Sequence, residues 1–488
     1  MRHLKLALAV GALVVVAFAY RYAFWENADA LNSDHAVVGL QAVKIFQGEW
    51  SMFLWGVGYQ ASFEPLLAGV AFKLFGYGYQ SLMGVAFLGF TLVIALVCLT
   101  LSRHVGIWVA FLTTLPIVLT TYSVSNVTLY PPRIWCLSAV FAGVWALDRV
   151  PMSRCPRLSL FAGVILVFFS LYIDFYSIQF LPAALILAGL SLRAMVATDI
   201  RNSAKKVLVS AVLLGGSFLL LTRFMGPTGG VPLAFSPKTF LHNIPLLLNT
   251  CWPTLFAVPS IEAWPASFKL LHLVAIVLYV AANGLSGWVV FQGRSSDSAR
   301  RLGVFGLVAT ATSLCGFLGS SMSSDSHSAR YLAVMIWSFP FVLVPLAYRI
   351  NQKVYSGLMV LYLVPMMAAG WLSASAAIPH LGNEGEVRDY LRSEGVRYAK
   401  APYWLSYRLS FLFEENPTVI PVNEWEDRYF PYRHAANQEK RMAEITHSEM
   451  AGRSLQDILK ECEVLHRNCE TKRIGKFMIV IYPQTPSL

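Results

Sequence analysis

Charge is scarce in this chain. Of its 488 residues only 13% are Asp, Glu, Lys or Arg, against 56% hydrophobic, and mean hydropathy is +0.56. A soluble chain of this length would divide into about three domains. The composition excludes that reading, because apolar runs of roughly 20 residues recur, and each can cross a bilayer core of ~30 Å. A clustered basic face is also lacking. The formal net charge is +11 and the pI ≈ 9.3, but the positive residues are scattered among short loops, so nucleic acid is not an expected partner. No His, Asp and Cys grouping has metal-ligand spacing. No cofactor is therefore required, and a divalent metal has nothing in the sequence to support it. The Lys-flanked first apolar segment has no convincing small-residue cleavage site after it, and reads as an uncleaved anchor.

What is present is a series of spans. Eleven are expected, at 5–24, 79–101, 105–124, 129–147, 158–173, 176–194, 205–224, 268–291, 302–320, 331–348 and 354–375. The run "SFEPLLAGVAFKLFG" (62–76) carries Glu64, Pro65 and Lys73 and is shorter, which suits a re-entrant or interfacial segment. The stretch 225–267 is too long and too rich in Pro and Gly for a single helix. The expected fold class is thus an α-helical polytopic membrane protein with a small C-terminal α/β domain. The membrane domain would cover 1–376, with a first outer loop at 25–78 and a second long one at 225–267. The domain 377–488 holds 15 Lys+Arg and 16 Asp+Glu of the chain's 38 and 27, leaving 23 and 11 in the membrane part.

The positives also alternate. Arg2 and Lys5; Arg103; Arg149, Arg154 and Arg157; Arg193, Arg201, Lys205 and Lys206; Arg294, Arg300 and Arg301; and Arg349 and Lys353 occupy alternate short segments, opposed only by Asp148, Asp199 and Asp297. By the positive-inside rule these segments are cytoplasmic. The N-terminus is then inside, the 31–78 loop outside, and an odd span count puts the C-terminal domain outside.

The polar residues of the membrane part gather on that outer side: Glu26, Asp29, Asp34, Glu49, Glu64, Asp174, Glu262 and Asp325, with Arg133, Arg223, Lys238, Lys269 and Arg330. Span centres hold almost no ionisable groups, whereas ion-coupled transport usually needs them there. Chemistry at the outer interface is the better expectation. Asp34, in "LNSDHAVVGLQAV", suits a general base for a hydroxyl; equally, Ser33 or Asp34 suits the N-cap of the following helix. Asp29 is a second acidic option. His35 could be a ligand, a pH-sensitive partner or an interfacial residue. In "WGVGYQASFEP", glycines let the backbone approach a ligand, and Tyr59 and Gln60 can hydrogen-bond sugar hydroxyls; an aromatic interfacial belt would look the same. Arg330, beside Tyr331, and Arg133, after "YPP", can each bind a phosphate bidentately or snorkel to headgroups.

Taken together, these residues resemble the GT-C superfamily of integral-membrane glycosyltransferases, in particular bacterial relatives of the protein O-mannosyltransferases and the lipid A aminoarabinose transferase. The matching stretches are "SDHAVVGLQAVKIFQGEW" with its Asp, "GYQASFEPLLAGVAFKLFG", the Arg-Tyr opening of "ARYLAVMIW", and "VRDYLRSEGVRYAKAPYWLSYRLSF" with "RYFPY" near the C-terminus. One position departs: His35 stands where the family has a second acidic residue. The resemblance implies a polyprenyl-phosphate sugar donor, a glycan, lipid or protein acceptor, membrane lipids as surroundings, and a site on the outer face of a bacterial inner membrane. It implies Asp34 as the single base and therefore inversion at the anomeric carbon, Arg330 and Arg133 on the phosphate, and Glu64 positioning sugar or acceptor. Tyr331, Tyr59, Gln60, His35 and Asp174 complete the expected binding set. The competing expectations are a lipid-linked-sugar flippase, which would want polar spans and an internal repeat that the chain lacks, and a non-catalytic binding protein.

In the C-terminal part, "EGEVRDYLRSEG" suits a helix ending at Gly395, "SLQDILKECEVL" a Ser-capped helix, and "TVIPV" and "KFMIVIYP" buried strands. The domain could dock an acceptor or act as a lid, and the aromatic "YWLSYR" could stack on carbohydrate or form an ordinary amphipathic helix. Of seven cysteines, Cys98, Cys136 and Cys315 fall in spans, and Cys155 and Cys251 in loops. Cys462 and Cys469 could pair in an oxidising compartment.

Overall fold

A backbone in hydrocarbon must satisfy its own hydrogen bonds, and this chain does so with helices. The computed structural model describes residues 1–194, 212, 216, 236–293, 296–377, 382–450, 452–466 and 468–483. Helix α1 runs Arg2–Trp25, followed by α2 (Ser33–Phe46) and α3 (Phe63–Phe75). Next come α4 (Tyr79–Leu101), α5 (Ile107–Val118), α6 (Tyr122–Leu129), α7 (Ile134–Arg149), α8 (Pro156–Ile173) and α9 (Leu181–Arg193). Then follow α10 (Pro237–Leu246), α11 (Trp252–Leu255), α12 (Ala266–Phe291), α13 (Asp297–Gly319), α14 (Ala333–Arg349) and α15 (Gln352–Ala377). Among the described residues nine helical segments are long and apolar enough to cross a membrane, or ten if the bent pair α5–α6 is one span. The chain is a multi-pass membrane protein.

Two of the expected spans differ. The span expected at 105–124 is broken, with α6 turned 91° from α5. Pro116 weakens the end of α5, and α1 satisfies the carbonyls freed at the break: Arg21 donates to Val118 O at 3.3 Å and Tyr20 to Thr120 O at 2.8 Å. Arg21 is 4% exposed and also lies over the Phe90 ring at 4.1 Å, so one ionisable group does sit inside the bundle. The span expected from 129 starts at Ile134, after the turn at Pro131 and Pro132. The one expected at 205–224, with Arg223 in it, lies outside the described residues apart from 212 and 216. Residues 62–76 form only the 13-residue α3, too short to cross.

Small residues let the spans approach closely. A Cβ on Gly143 of α7 would lie 2.9 Å from Gly163 O of α8, and one on Gly306 of α13 would lie 2.6 Å from Val342 N of α14. At one end of the bundle Arg2 reaches Ser102 O, and Arg103 and His104 meet buried Asp148. At the other end the segments holding Asp34, Glu64, Arg133, Asp174 and Arg330 converge.

On the second end sits a mixed sheet. Helix α16 (Glu384–Ser393) leads into β1 (Tyr398–Ala401), α17 (Tyr403–Leu412), β2 (Thr418–Pro421), α18 (Phe430–Ala436), β3 (Arg441–His447), α19 (Leu455–Val464), β4 (Glu470–Ile474) and β5 (Phe477–Pro483). The strand order is β2-β1-β3-β5-β4; β1 is parallel to β2 and β3, and β5 is antiparallel to β3 and β4. The run "FMIVIYP" does not alternate because both sheet faces are covered. Ile479 and Ile481 join a core with Val387, Leu391 and Leu405, while Val480 and Tyr482 share a cluster with Val37, Val38 and Leu40 of α2. Ser454 caps α19, and Cys462 and Cys469 form a disulfide.

The domain is pressed against α2 along its length. A Cβ on Gly39 would lie 2.3 Å from the Phe411 ring, so glycine is what lets α17 approach. Ser33 donates to Tyr403 O at 2.5 Å, Tyr77 donates to Phe411 O at 2.7 Å, and Lys44 pairs with Glu415 at 2.9 Å.

Candidate active site

The site begins with a helix cap. Neither Ser33 nor Asp34 fills that role: Asn32 is the N-cap, its side chain accepting from His35 N at 3.1 Å while His35 Nδ1 accepts from Asn32 N at 3.4 Å. The reciprocal pairing of a capping box is thus met by a histidine where Glu or Gln is usual. His35 is buried and stacked on Tyr130 at 4.9 Å. Burial pulls its pKa down to about 4, Asp34 opposing and Arg133 assisting, so the imidazole is neutral. With the cap supplied by Asn32, the Asp34 carboxylate projects from the first turn of α2 instead of closing back on the backbone.

Asp34 opens on a cleft. One wall is α2 with the loop that follows it, including Trp55, Tyr59 and Gln60; another carries Asn126, Arg133 and Arg330; the sheet domain adds Trp404 and Arg428. Asp34 Oδ1 accepts the Tyr403 hydroxyl at 2.5 Å and lies 3.4 Å from Arg428 Nη2. Burial, and then Asp34, hold the Tyr403 phenol well above its usual pKa, so it stays a proton donor. Tyr59 is 37% exposed and its phenol is available to the cleft.

Beneath the cleft lies a polar network that includes Glu64, Gln60 and Asp174. The two oxygens of Glu64 accept the backbone N–H groups of Arg133 and Trp135, at 2.8 and 3.0 Å, placing a carboxyl at the N-terminus of α7. Glu64 is 2% exposed. Burial pushes its pKa up to about 8, against the pull of those two N–H donors. Arg133 is held with φ +107°, a strained region for a residue with a side chain. Its Nε pairs with Asp174 at 3.3 Å. Asp174 is buried, accepts from Gln60 and from Tyr176 N, and has its pKa raised by burial against Arg133. Gln60 therefore spends its amide on Asp174 rather than on the cleft.

Arg330 is different. It sits on the 3-10 turn Ser326–Leu332 that opens α14, with Nη2 on the Tyr331 hydroxyl at 3.3 Å and its guanidinium over that ring at 5.2 Å. Its Nε is buried without a partner, and among the described residues no carboxylate pairs with it. The structure thus brings all nine sequence-derived residues to one end of the bundle. Asp34, Tyr59 and Arg330 face the cleft, with Tyr331 against Arg330 and His35 in the lining. Glu64, Gln60 and Asp174 have their polar atoms engaged on protein, and Arg133 links the two groups. The Asp29 side chain lies outside the described residues. Sequence reasoning missed Tyr403, Trp404, Arg428 and Asn126. The only signal was that "YWLSYR" and "RYFPY" fall in stretches already singled out. Among the described residues no three His, Cys, Asp or Glu side chains group as metal ligands do.

No protein-family model and no curated protein matches the chain. Solved structures do. ArnT from Cupriavidus metallidurans, bound to undecaprenyl phosphate, superposes with a TM-score of 0.61 at 11% identity, over 97% of each chain. Its apo state gives 0.60 over the same shares. The oligosaccharyltransferase of Archaeoglobus fulgidus, in complex with Zn and sulfate, gives 0.52 at 12% identity, over 91% of this chain and 68% of that one. The chain has the GT-C fold of these proteins.

Proposed function

We propose that this protein is a membrane glycosyltransferase that moves a sugar from a polyprenyl-phosphate donor to an acceptor hydroxyl. The acceptor could be a glycan, lipid or protein. The site would lie on the outer face of the bacterial plasma membrane, with the N-terminus inside and the sheet domain outside. The observation that carries this reading is one cleft holding a carboxylate that caps no helix, Asp34, and an arginine with no carboxylate partner among the described residues, Arg330. A neighbour of the same fold binds undecaprenyl phosphate, which supports a lipid phosphate as the leaving group.

In the proposed reaction Asp34 takes the proton of the acceptor hydroxyl as its oxygen attacks the anomeric carbon. The bond from that carbon to the phosphate oxygen breaks with its electron pair, and polyprenyl phosphate leaves. The leaving group is a stable anion that needs cationic contacts more than a proton. Arg330 supplies one, and Arg133, braced by Asp174 and Glu64, a second. Tyr59 and Trp404 offer hydrogen bonding and an aromatic face to the sugars. A single base with direct displacement inverts the anomeric centre. Turnover of a defined set of polyprenyl-phosphate sugars by wild type and Asp34→Asn tests this reading. Loss of a general base is expected to cost ~10²–10⁴-fold in kcat. Unchanged turnover removes Asp34 from the role, and a product with retained configuration by NMR sinks direct displacement.

A further inference from the structure

The sheet domain reaches the Asp34 carboxylate itself. Two of its side chains, Tyr403 at the start of α17 and Arg428 just before α18, meet on Asp34 Oδ1. They also hold each other: Arg428 Nε donates to the Tyr403 hydroxyl at 2.9 Å. Arg428 Nη1 donates to Gly56 O at 3.0 Å, tying the guanidinium to the loop that forms the cleft wall. Gly56 has φ +67°, and a Cβ there would lie 2.5 Å from Arg428 Cδ, so the loop is shaped for this arginine. From behind, the Tyr407 hydroxyl accepts Arg428 N at 2.6 Å. Oδ2 of Asp34 has no partner among the described residues.

We propose that Tyr403 and Arg428 are positioning residues for Asp34, fixing Oδ1 so that Oδ2 is the oxygen that receives the acceptor's proton. A carboxylate at the end of a free side chain samples several rotamers, and catalysis needs one of them. Two donors on one oxygen select that rotamer and leave the other oxygen's lone pairs facing the cleft. The sheet domain is thereby part of the active site, and a chain whose domain is undocked has a mobile Asp34.

The charged and titratable groups around Asp34 are Tyr403 and Arg428 from the sheet domain, Tyr59 from the loop, His35 on its own helix, and Arg133 and Arg330 across the cleft. This inference rests on the reading of Asp34 as base, and the experiment separates the two. Full-length Tyr403→Phe, Arg428→Gln and Arg428→Lys are compared with wild type for kcat and donor KM. Tyr403→Phe keeps the ring and its packing. It is expected to lower kcat about tenfold and leave donor KM within about twofold. Arg428→Gln lowers kcat the same way, and Arg428→Lys restores part of the loss. Adding Tyr403→Phe to Asp34→Asn should cost no further turnover, since both act through one group. Lys44→Met breaks the distant pair with Glu415 and should leave kcat in place. An unchanged kcat in both Tyr403→Phe and Arg428→Gln, a loss that falls on donor KM instead, or a double variant losing the product of the single losses, overturns the positioning role while leaving Asp34 as base. Full turnover in Asp34→Asn overturns the base itself.

Discussion

Replacing Glu64 tests whether the floor of the cleft is held by a carboxyl. In Glu64→Ala two N–H groups, of Arg133 and Trp135, lose their acceptor at 2.8 and 3.0 Å. A donor left unmet away from water costs about 1–3 kcal/mol, so the pair gives about 2–6 kcal/mol. Without that bond the Arg133 backbone, at φ +107°, keeps only the Cys136 N–H on its carbonyl, at 3.1 Å; relaxing it would carry the guanidinium away from Asp174. Glu64→Gln keeps one acceptor and resembles the protonated acid, so its expected cost is about half. The measurement is unfolding free energy in detergent micelles, with donor KM alongside. Stability should order wild type above Gln above Ala, and KM should rise in Ala. The pH dependence has a defined sign. The folded-state pKa of Glu64 is raised to about 8, so its contribution is fully present below the unfolded value near ~4.3 and is lost as pH rises through about 8. The difference between wild type and Glu64→Gln should therefore shrink on the alkaline side. An Ala variant as stable as wild type, or a Gln variant with the wild type's pH slope, would refute the bracing role.

Three further outcomes follow from named groups. Arg330→Gln should lower kcat/KM about 10–100-fold, the worth of about 1.5–3 kcal/mol for a hydrogen bond to a charged group, with Arg330→Lys intermediate; equal kcat/KM in all three would exclude a phosphate contact. His35 has its pKa lowered by burial to about 4, so its stabilisation is present above the unfolded value near 6.5 and fades as pH falls toward 4, by about 3 kcal/mol in all. His35→Asn should abolish that acid-side loss in an unfolding series, and an unchanged slope would contradict the buried, neutral assignment. Cys462→Ser with Cys469→Ser opens a loop whose ends are 7 residues apart, for which chain entropy gives about 2–3 kcal/mol; a melting midpoint indifferent to both the substitution and reductant would count against it.

Hydropathy made most spans legible because length and apolarity are the requirement for crossing. It could not show the break after Val118. A straight helix through residues 105–124 is favoured locally, and the carbonyls exposed by bending are satisfied by Tyr20 and Arg21, about a hundred positions earlier. Arg21 falls inside the expected span 5–24, and nothing in the spacing points to its partners: backbone oxygens, the Thr128 hydroxyl and the Phe90 ring. Two strands of the sheet domain, β2 and β5, were legible as apolar runs, but β1, β3, β4 and the strand order were not, since β1 pairs with β3 across two intervening helices and a strand.

The helix carrying Asp34 shows the limit at the scale of one residue. "NSD" offers three caps of nearly equal preference, and the tie is broken by His35, a residue the usual capping-box pattern omits. Once Asn32 takes the cap, Asp34 is released to the cleft, and the position that looked like a lost second carboxylate becomes the reason the first one is free. Burial then sorts the remaining polar residues in a way spacing cannot. Arg133 is paired with Asp174, and Arg428 with Asp34. Among the described residues Arg330 is the one of these three arginines with no carboxylate partner. A polyprenyl-phosphate sugar is a phosphodiester carrying a single negative charge. A cleft whose other arginines are paired, and that leaves Arg330 over among the described residues, matches the proposed donor in charge.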